Sequence, residues 1–242
     1  MNLDPFLTYM ERYNPGFRSR IRGVSEREIA VMEELYQRPL PESYKEFLRM
    51  MGADLGGFHL VNDSDSSYDA VMERAKERLE DPIWGHRFHD LVIVAPRYFE
   101  SEDASLQDAP GGEPRVVGGD PTPYIVFSSS LQNMLMGVAC MRYGLREYPH
   151  RRPCMGPTRA ESSHAAAVLK SQGFEFLWFS DAYLAVAERG EVRLALHQRD
   201  GAVGAVTITA LDPKELVEVE AVVERELGMS EPYFRQLTGV KG

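Results

Sequence analysis

The chain has 242 residues, 43% of them hydrophobic and 26% charged, an ordinary globular composition with enough length for one large core or two small ones. Its longest apolar runs, such as 134–141, are broken by Gly137 and too short to span a bilayer, and the opening MNLDPFL lacks the basic and apolar regions of a secretory signal. No membrane and a cytoplasmic address are therefore expected, and the net charge of −10 argues against nucleic acid, whose phosphates call for Lys and Arg.

That charge is concentrated in the first half, where residues 1–130 hold 23 acids and 14 bases. Such a field suits a basic protein partner, and it equally serves solubility. The two cysteines, Cys140 and Cys154, make no disulfide framework and are expected as free thiols.

In chain order, Asp4-Pro5 opens a short amphipathic helix through Phe6, Met10 and Tyr13 that ends at Asn14-Pro15-Gly16. Phe17 to Val24, carrying Arg18, Arg20 and Arg22, is expected as a solvated loop. Ser25 and Glu28 form a capping box, and Ile29, Met32 and Tyr36 make the apolar stripe of the helix it starts. Arg38-Pro39 stops that helix and Leu40-Pro41 makes a rigid elbow. A second helix carries Tyr44, Phe47, Leu48 and Met51 on one face, with Gly52 as a left-handed stop. Gly56-Gly57 turns the chain into a first strand over 58–61. The pair Glu33-Glu34 falls on the solvated side of its helix.

Helix, Leu-Pro elbow, Tyr-x-x-Phe-Leu helix, Gly-Gly turn and strand resemble the SUKH superfamily, the Smi/Knr-like proteins, through Glu33, Leu40, Pro41, Tyr44, Phe47, Leu48, Gly56 and Gly57. The resemblance covers about residues 20–145. It implies a role as a bacterial immunity protein that binds and neutralises a toxin, or as an intracellular regulatory scaffold like the fungal members. The matched residues are of types that pack or turn, so they identify a fold and carry no chemistry.

The run from Asn62 to Ser67 is acidic and serine-rich, but the sixth and twelfth positions of a calcium loop would fall on Tyr68 and Arg74, so these residues are expected to cap a helix over 68–79. His86 and His89 have no further ligands at recognisable spacing, and no metal is expected. Leu91 to Ala95, apolar and β-branched, is expected as a central strand ended by Pro96. The acidic, Gly- and Pro-rich stretch 100–123 is expected as a mobile exposed loop. A strand over 124–127 and a helix over 129–143 follow.

Residues 143–158 are loop-like and basic, with Arg142, Arg146, Arg151, Arg152 and Arg159 opposed by Glu147. They are candidates for an anionic ligand or for pairing with the acidic half of a second subunit in a homodimer. The tail is expected as a helix over 160–172, strands over 174–179, 183–188, 192–198 and 202–210 with hairpin turns at Arg189-Gly190 and Asp200-Gly201, and a final helix opened by Asp212-Pro213 with Leu216, Val219, Val223 and Leu227 inward. Tyr233-Phe234 is expected to tuck back.

No phosphate-loop, dinucleotide, nucleophile-elbow or zincin motif occurs, and Ser128 to Ser130 is explained by helix capping. No catalytic residue and no cofactor is assigned. The expectation is an α+β protein with a SUKH-like domain at 1–145, a basic linker at 146–159 and an α+β extension at 160–242. It would bind a basic cognate toxin through Asp63, Asp65, Glu100, Glu102, Asp103 and Asp108. The alternatives are a regulatory scaffold, and a small enzyme or anion-binding protein using Arg142, Arg146, Arg151 and Arg152.

Overall fold

The structure, a computed structural model, describes residues 2–231 apart from 62–63, 84, 100–101, 110–111 and 120–124, with side chains throughout except at 87, 97–99, 102 and 157–159. It is an α+β protein whose sheets are antiparallel. The chain divides into two compact units, Met1–Ala139 and Cys140–Gly242.

The first unit begins with α1 (Asp4–Tyr13), whose Phe6, Leu7 and Met10 are buried. The stretch expected as a loop holds a one-turn helix α2 (Phe17–Arg20) and strand β1 (Ile21–Arg22), which pairs with β2 (Asp54–Leu55). Gly23 explains the close fit there, since a Cβ at this position would lie 1.7 Å from the Arg49 carbonyl oxygen. The Phe6 ring meets Phe17 and Phe58 edge-on at 5.9 and 5.1 Å, a favoured aromatic arrangement.

Helix α3 (Glu26–Tyr36) starts on the expected capping box, with the Ser25 hydroxyl and the Glu28 carboxylate each accepting the other's backbone N–H. Its left-handed stop falls on Gln37 (φ 54°), while Gly52 stays right-handed (φ −64°) after α4 (Glu42–Met51). Gly56 and Gly57 both adopt positive φ, as the sharp turn requires. The residues after them do not form the expected strand: Phe58, Leu60 and Val61 are buried but belong to no described strand, because apolarity reports burial rather than a ladder.

Helix α5 (Tyr68–Leu79) packs on a four-stranded sheet of order β3-β4-β5-β6, made of β3 (Leu91–Phe99), β4 (Glu102–Gln107), β5 (Arg115–Gly118) and β6 (Ile125–Ser128). Two expectations are corrected here. The apolar run at 91–95 is an edge strand, not a central one, and it continues through Pro96, where the register to β4 is irregular; prolines are tolerated at such edges and bulges. The acidic stretch 100–123 contains two strands, β4 and β5, so it is not one exposed loop. Asp103, one of its acids, is neutralised inside the fold by Arg74 and Arg78.

Helix α6 (Leu131–Arg142) leads into the second unit, a five-stranded sheet of order β7-β11-β10-β9-β8. Strands β9 (Leu184–Arg189), β10 (Val192–Arg199) and β11 (Ala202–Ala210) are joined antiparallel by the two expected hairpins, and β8 (Glu175–Phe176), shorter than the expected 174–179, pairs with β9. Asp200, Gly201 and Gly190 take positive φ at the two hairpins. The expected basic linker 146–159 becomes, from His150 onward, strand β7 (His150–Glu161). Pro153 is accommodated because β7 lies at the sheet edge, where a missing N–H breaks no ladder.

Helices α7 (Ser162–Ser171) and α8 (Pro213–Leu227) cover one face of this sheet. All four predicted inward residues of α8 are buried in one cluster with Leu194, Val206 and Ile208. Asp212 caps α8 by accepting the Lys214 N–H, and Gly228 ends it in the left-handed conformation. Tyr233 and Phe234 lie outside the described residues. Among the described residues no helix is long and apolar enough to cross a membrane.

Candidate functional site

The Leu-Pro elbow between α3 and α4 is built around Glu33, Leu40 and Pro41. Glu33, expected on a solvated face, turns inward instead. Its carboxylate accepts the Leu40 N–H at 2.9 Å and lies 3.5 Å from the Lys45 ammonium. This ties the end of α3 to the start of α4 and buries Leu40. Pro39, Leu40, Pro41 and Pro114 then form the apolar floor of a groove of about 620 Å³, with Asp108 and Glu113 facing the elbow from the segment after β4. Arg38 reaches across it to Asp108 at 2.9 Å.

The rim of this groove is acidic, but its carboxylates are not equivalent. Glu42 is engaged by Arg49 at 2.8 Å and Lys45 at 3.0 Å, and the Arg49 guanidinium holds its carboxyl below the ordinary value. Asp108 has one oxygen on Arg38 and no other donor among the described residues, and Glu113 is exposed with no described cation in reach. Two surface carboxylates thus flank an apolar floor with spare acceptor capacity.

The other expected contact residues fall elsewhere. Asp65 is exposed, accepts the Ser67 N–H at 2.8 Å and borders a separate cleft of about 320 Å³ with Glu73, Arg74 and Glu77. Asp103, expected at the surface, is buried at 3% exposure, where it accepts from Arg74 at 2.9 Å and Arg78 at 3.0 Å. It anchors α5 to β4, a corrected role, because a β4 position facing a helix with arginines one turn apart can bury a carboxylate as an ion pair. Asp63, Glu100 and the side chain of Glu102 lie outside the described residues.

The arginines of the second unit do not converge on one site. Arg151 and Arg152 are neighbours on β7 and so point to opposite faces of the sheet. Arg152 contacts Glu231 and lies 3.4 Å from Glu220, and Arg146 is exposed in a single 3-10 turn. Arg142 sits in the last turn of α6.

Neither cysteine forms a disulfide, and both are buried. Burial, aided by the Glu220 carboxylate, pushes the Cys154 thiol up to about 12, which keeps it protonated near neutral pH. The Ser130 hydroxyl accepts the Asn133 N–H at 3.1 Å, a capping role. Among the described residues no group of three or more His, Cys, Asp or Glu is placed to hold a metal ion.

The elbow groove was only half legible in the sequence. The Pro39-Leu40-Pro41 elbow is a local signal, but nothing local announces that Asp108, Glu113 and Pro114 close the groove from about seventy residues away. No known protein-family model matches the chain, and no curated protein matches it.

Proposed function

We propose that this chain is an immunity-type binding protein. It covers a basic cognate toxin stoichiometrically, using the acidic surface of its first unit, and it belongs with the SUKH superfamily. The observation that carries this reading is the elbow groove, where an apolar floor of prolines and Leu40 lies under exposed Asp108 and Glu113. An apolar centre with a charged rim is how protein interfaces are organised, and a rim of one sign selects a partner of the other. The net −9 carried by residues 1–130 extends the same field over the unit and speeds encounter with a basic partner.

Tagged protein recovered from its native organism at low and at moderate salt, with the retained proteins identified by mass spectrometry, tests the reading. The expected result is one dominant, basic, salt-sensitive partner with a toxin-like catalytic domain. A spread of cell-wall or signalling proteins, unchanged by salt, would move the reading to a regulatory scaffold.

A further inference from the structure

The Arg38–Asp108 pair has a form that a purely structural ion pair does not need. Arg38 sits in the last residue before the elbow's first proline, fixed by its N–H to the Glu33 carbonyl at 3.2 Å, so its side chain is aimed across the groove by a rigid backbone. Only one guanidinium nitrogen meets only one carboxylate oxygen, at 2.9 Å, with Asp108 66% exposed. The remaining Arg38 donors have no acceptor among the described residues. A single-point pair whose carboxylate faces solvent, with the guanidinium side chain 23% exposed, contributes little to stability and exchanges easily, whereas a guanidinium that meets both carboxylate oxygens does so with stronger, directional bonds.

We infer that Arg38 is an internal stand-in for a basic side chain of the partner. An arginine or lysine on an extended segment of the partner enters the elbow groove, lays its aliphatic stem on Pro39, Pro41 and Pro114, and takes the Asp108 carboxylate from Arg38. Glu113, exposed on the same rim, receives a second cation of that segment. The inference rests on the reading of the first unit as a receptor for a basic protein and names the residue that gates it. Charge complementarity selects this occupant: two carboxylates with spare acceptor capacity face the groove, and Arg38, the one cation among its described lining residues, is already held by one of them. A long cationic side chain suits the floor because its stem is apolar while its head stays polar.

Exchange at the groove predicts effects larger than general electrostatics gives, so a gain in Arg38→Gln no greater than in Lys76→Gln would overturn it. Removing Asp108 removes the acceptor and weakens binding, while removing Arg38 removes the competitor and strengthens it. The test uses the full chain and a fluorescent, acetylated hexa-arginine peptide, read by anisotropy at low salt. The variants are Asp108→Asn, Glu113→Gln and Arg38→Gln, with Glu73→Gln and Lys76→Gln as charge-matched changes away from the groove.

Asp108→Asn is expected to weaken the peptide about fivefold relative to Glu73→Gln, and Arg38→Gln to tighten it about threefold relative to Lys76→Gln, as exchange of one exposed ion pair allows. Glu113→Gln is expected to weaken it by a smaller factor. Weaker peptide binding in Arg38→Gln, or tight binding of inorganic phosphate that Arg38→Gln abolishes, would overturn the inference by making Arg38 itself the ligand-binding group. Equal losses in Asp108→Asn and Glu73→Gln would overturn it by showing binding to the acidic surface at large. The peptide assay involves no toxin, so its failure leaves neutralisation to another surface, and the lack of a toxin partner leaves the groove result standing.

Discussion

The hydroxyl of Tyr36, at the end of α3, accepts the backbone N–H of Ile93 at 3.0 Å, fifty-seven residues away. Ile93 lies on β3, an edge of the four-stranded sheet, and its carbonyl accepts in turn from the Tyr44 hydroxyl of α4 at 3.3 Å. Two helices thus supply to an edge strand the donor and acceptor that a neighbouring strand would otherwise give. The arrangement lets the apolar run Leu91 to Ala95 be buried at an edge that would otherwise invite pairing with another chain.

Tyr36→Phe should therefore leave a buried N–H unsatisfied and destabilise the fold by about 1–3 kcal/mol. Tyr44→Phe should cost less, since a carbonyl tolerates the loss of one partner better than an N–H does. Chemical unfolding at neutral pH measures both. Equal stability of wild type and Tyr36→Phe would show that the edge is satisfied in another way.

The same two tyrosines set an alkaline limit. Burial raises the pKa of both above the ordinary value of 10.0, so the folded protein keeps their protons where the unfolded chain has lost them. Stability from this source is complete below pH 10 and falls as pH rises beyond it, by up to about tenfold in the folding equilibrium per pH unit for each tyrosine. Unfolding measured across that range should show the decline, and Tyr36→Phe should make it shallower.

Asp103 predicts a larger effect. Its carboxylate sits between Arg74 and Arg78 at 3% exposure, so Asp103→Ala leaves two partly buried guanidinium groups facing one another and should cost about 3–5 kcal/mol. Asp108→Ala, on the exposed pair with Arg38, should cost under about 1 kcal/mol. The contrast in thermal unfolding separates the acid that builds the unit from the acid at its surface.

Gly23→Ala tests the approach of the chain to α4. An added methyl would meet the Arg49 carbonyl oxygen at 1.7 Å, so the segment must move and break the Val24 N–H bond to the Leu48 carbonyl. A loss of about 1–3 kcal/mol, the usual cost of overpacking, is expected, read as a lower melting temperature.

These residues also show what a sequence discloses. The Ser25–Glu28 box, the elbow and the Leu216, Val219, Val223, Leu227 stripe act within one or two helical turns, so their spacing alone placed them. The Asp200-Gly201 and Arg189-Gly190 hairpins were equally local. Asp103 and Asp108 could not be told apart by type, because one is buried by arginines twenty-five and twenty-nine residues away and the other meets an arginine seventy residues away. The strand at His150–Glu161 was hidden by its prolines and arginines, whose acceptability depends on an edge position that only the assembled sheet defines.

Neutralisation by stoichiometric binding through the acidic first unit is the function proposed for this chain. It is tested most directly by titrating the catalytic activity of the partner recovered from the native organism with this chain. Loss of activity is expected to be complete near one equivalent, and excess protein is expected to be required when Asp108 and Glu113 are both changed to Lys. Undiminished activity in excess of the wild-type chain would contradict it.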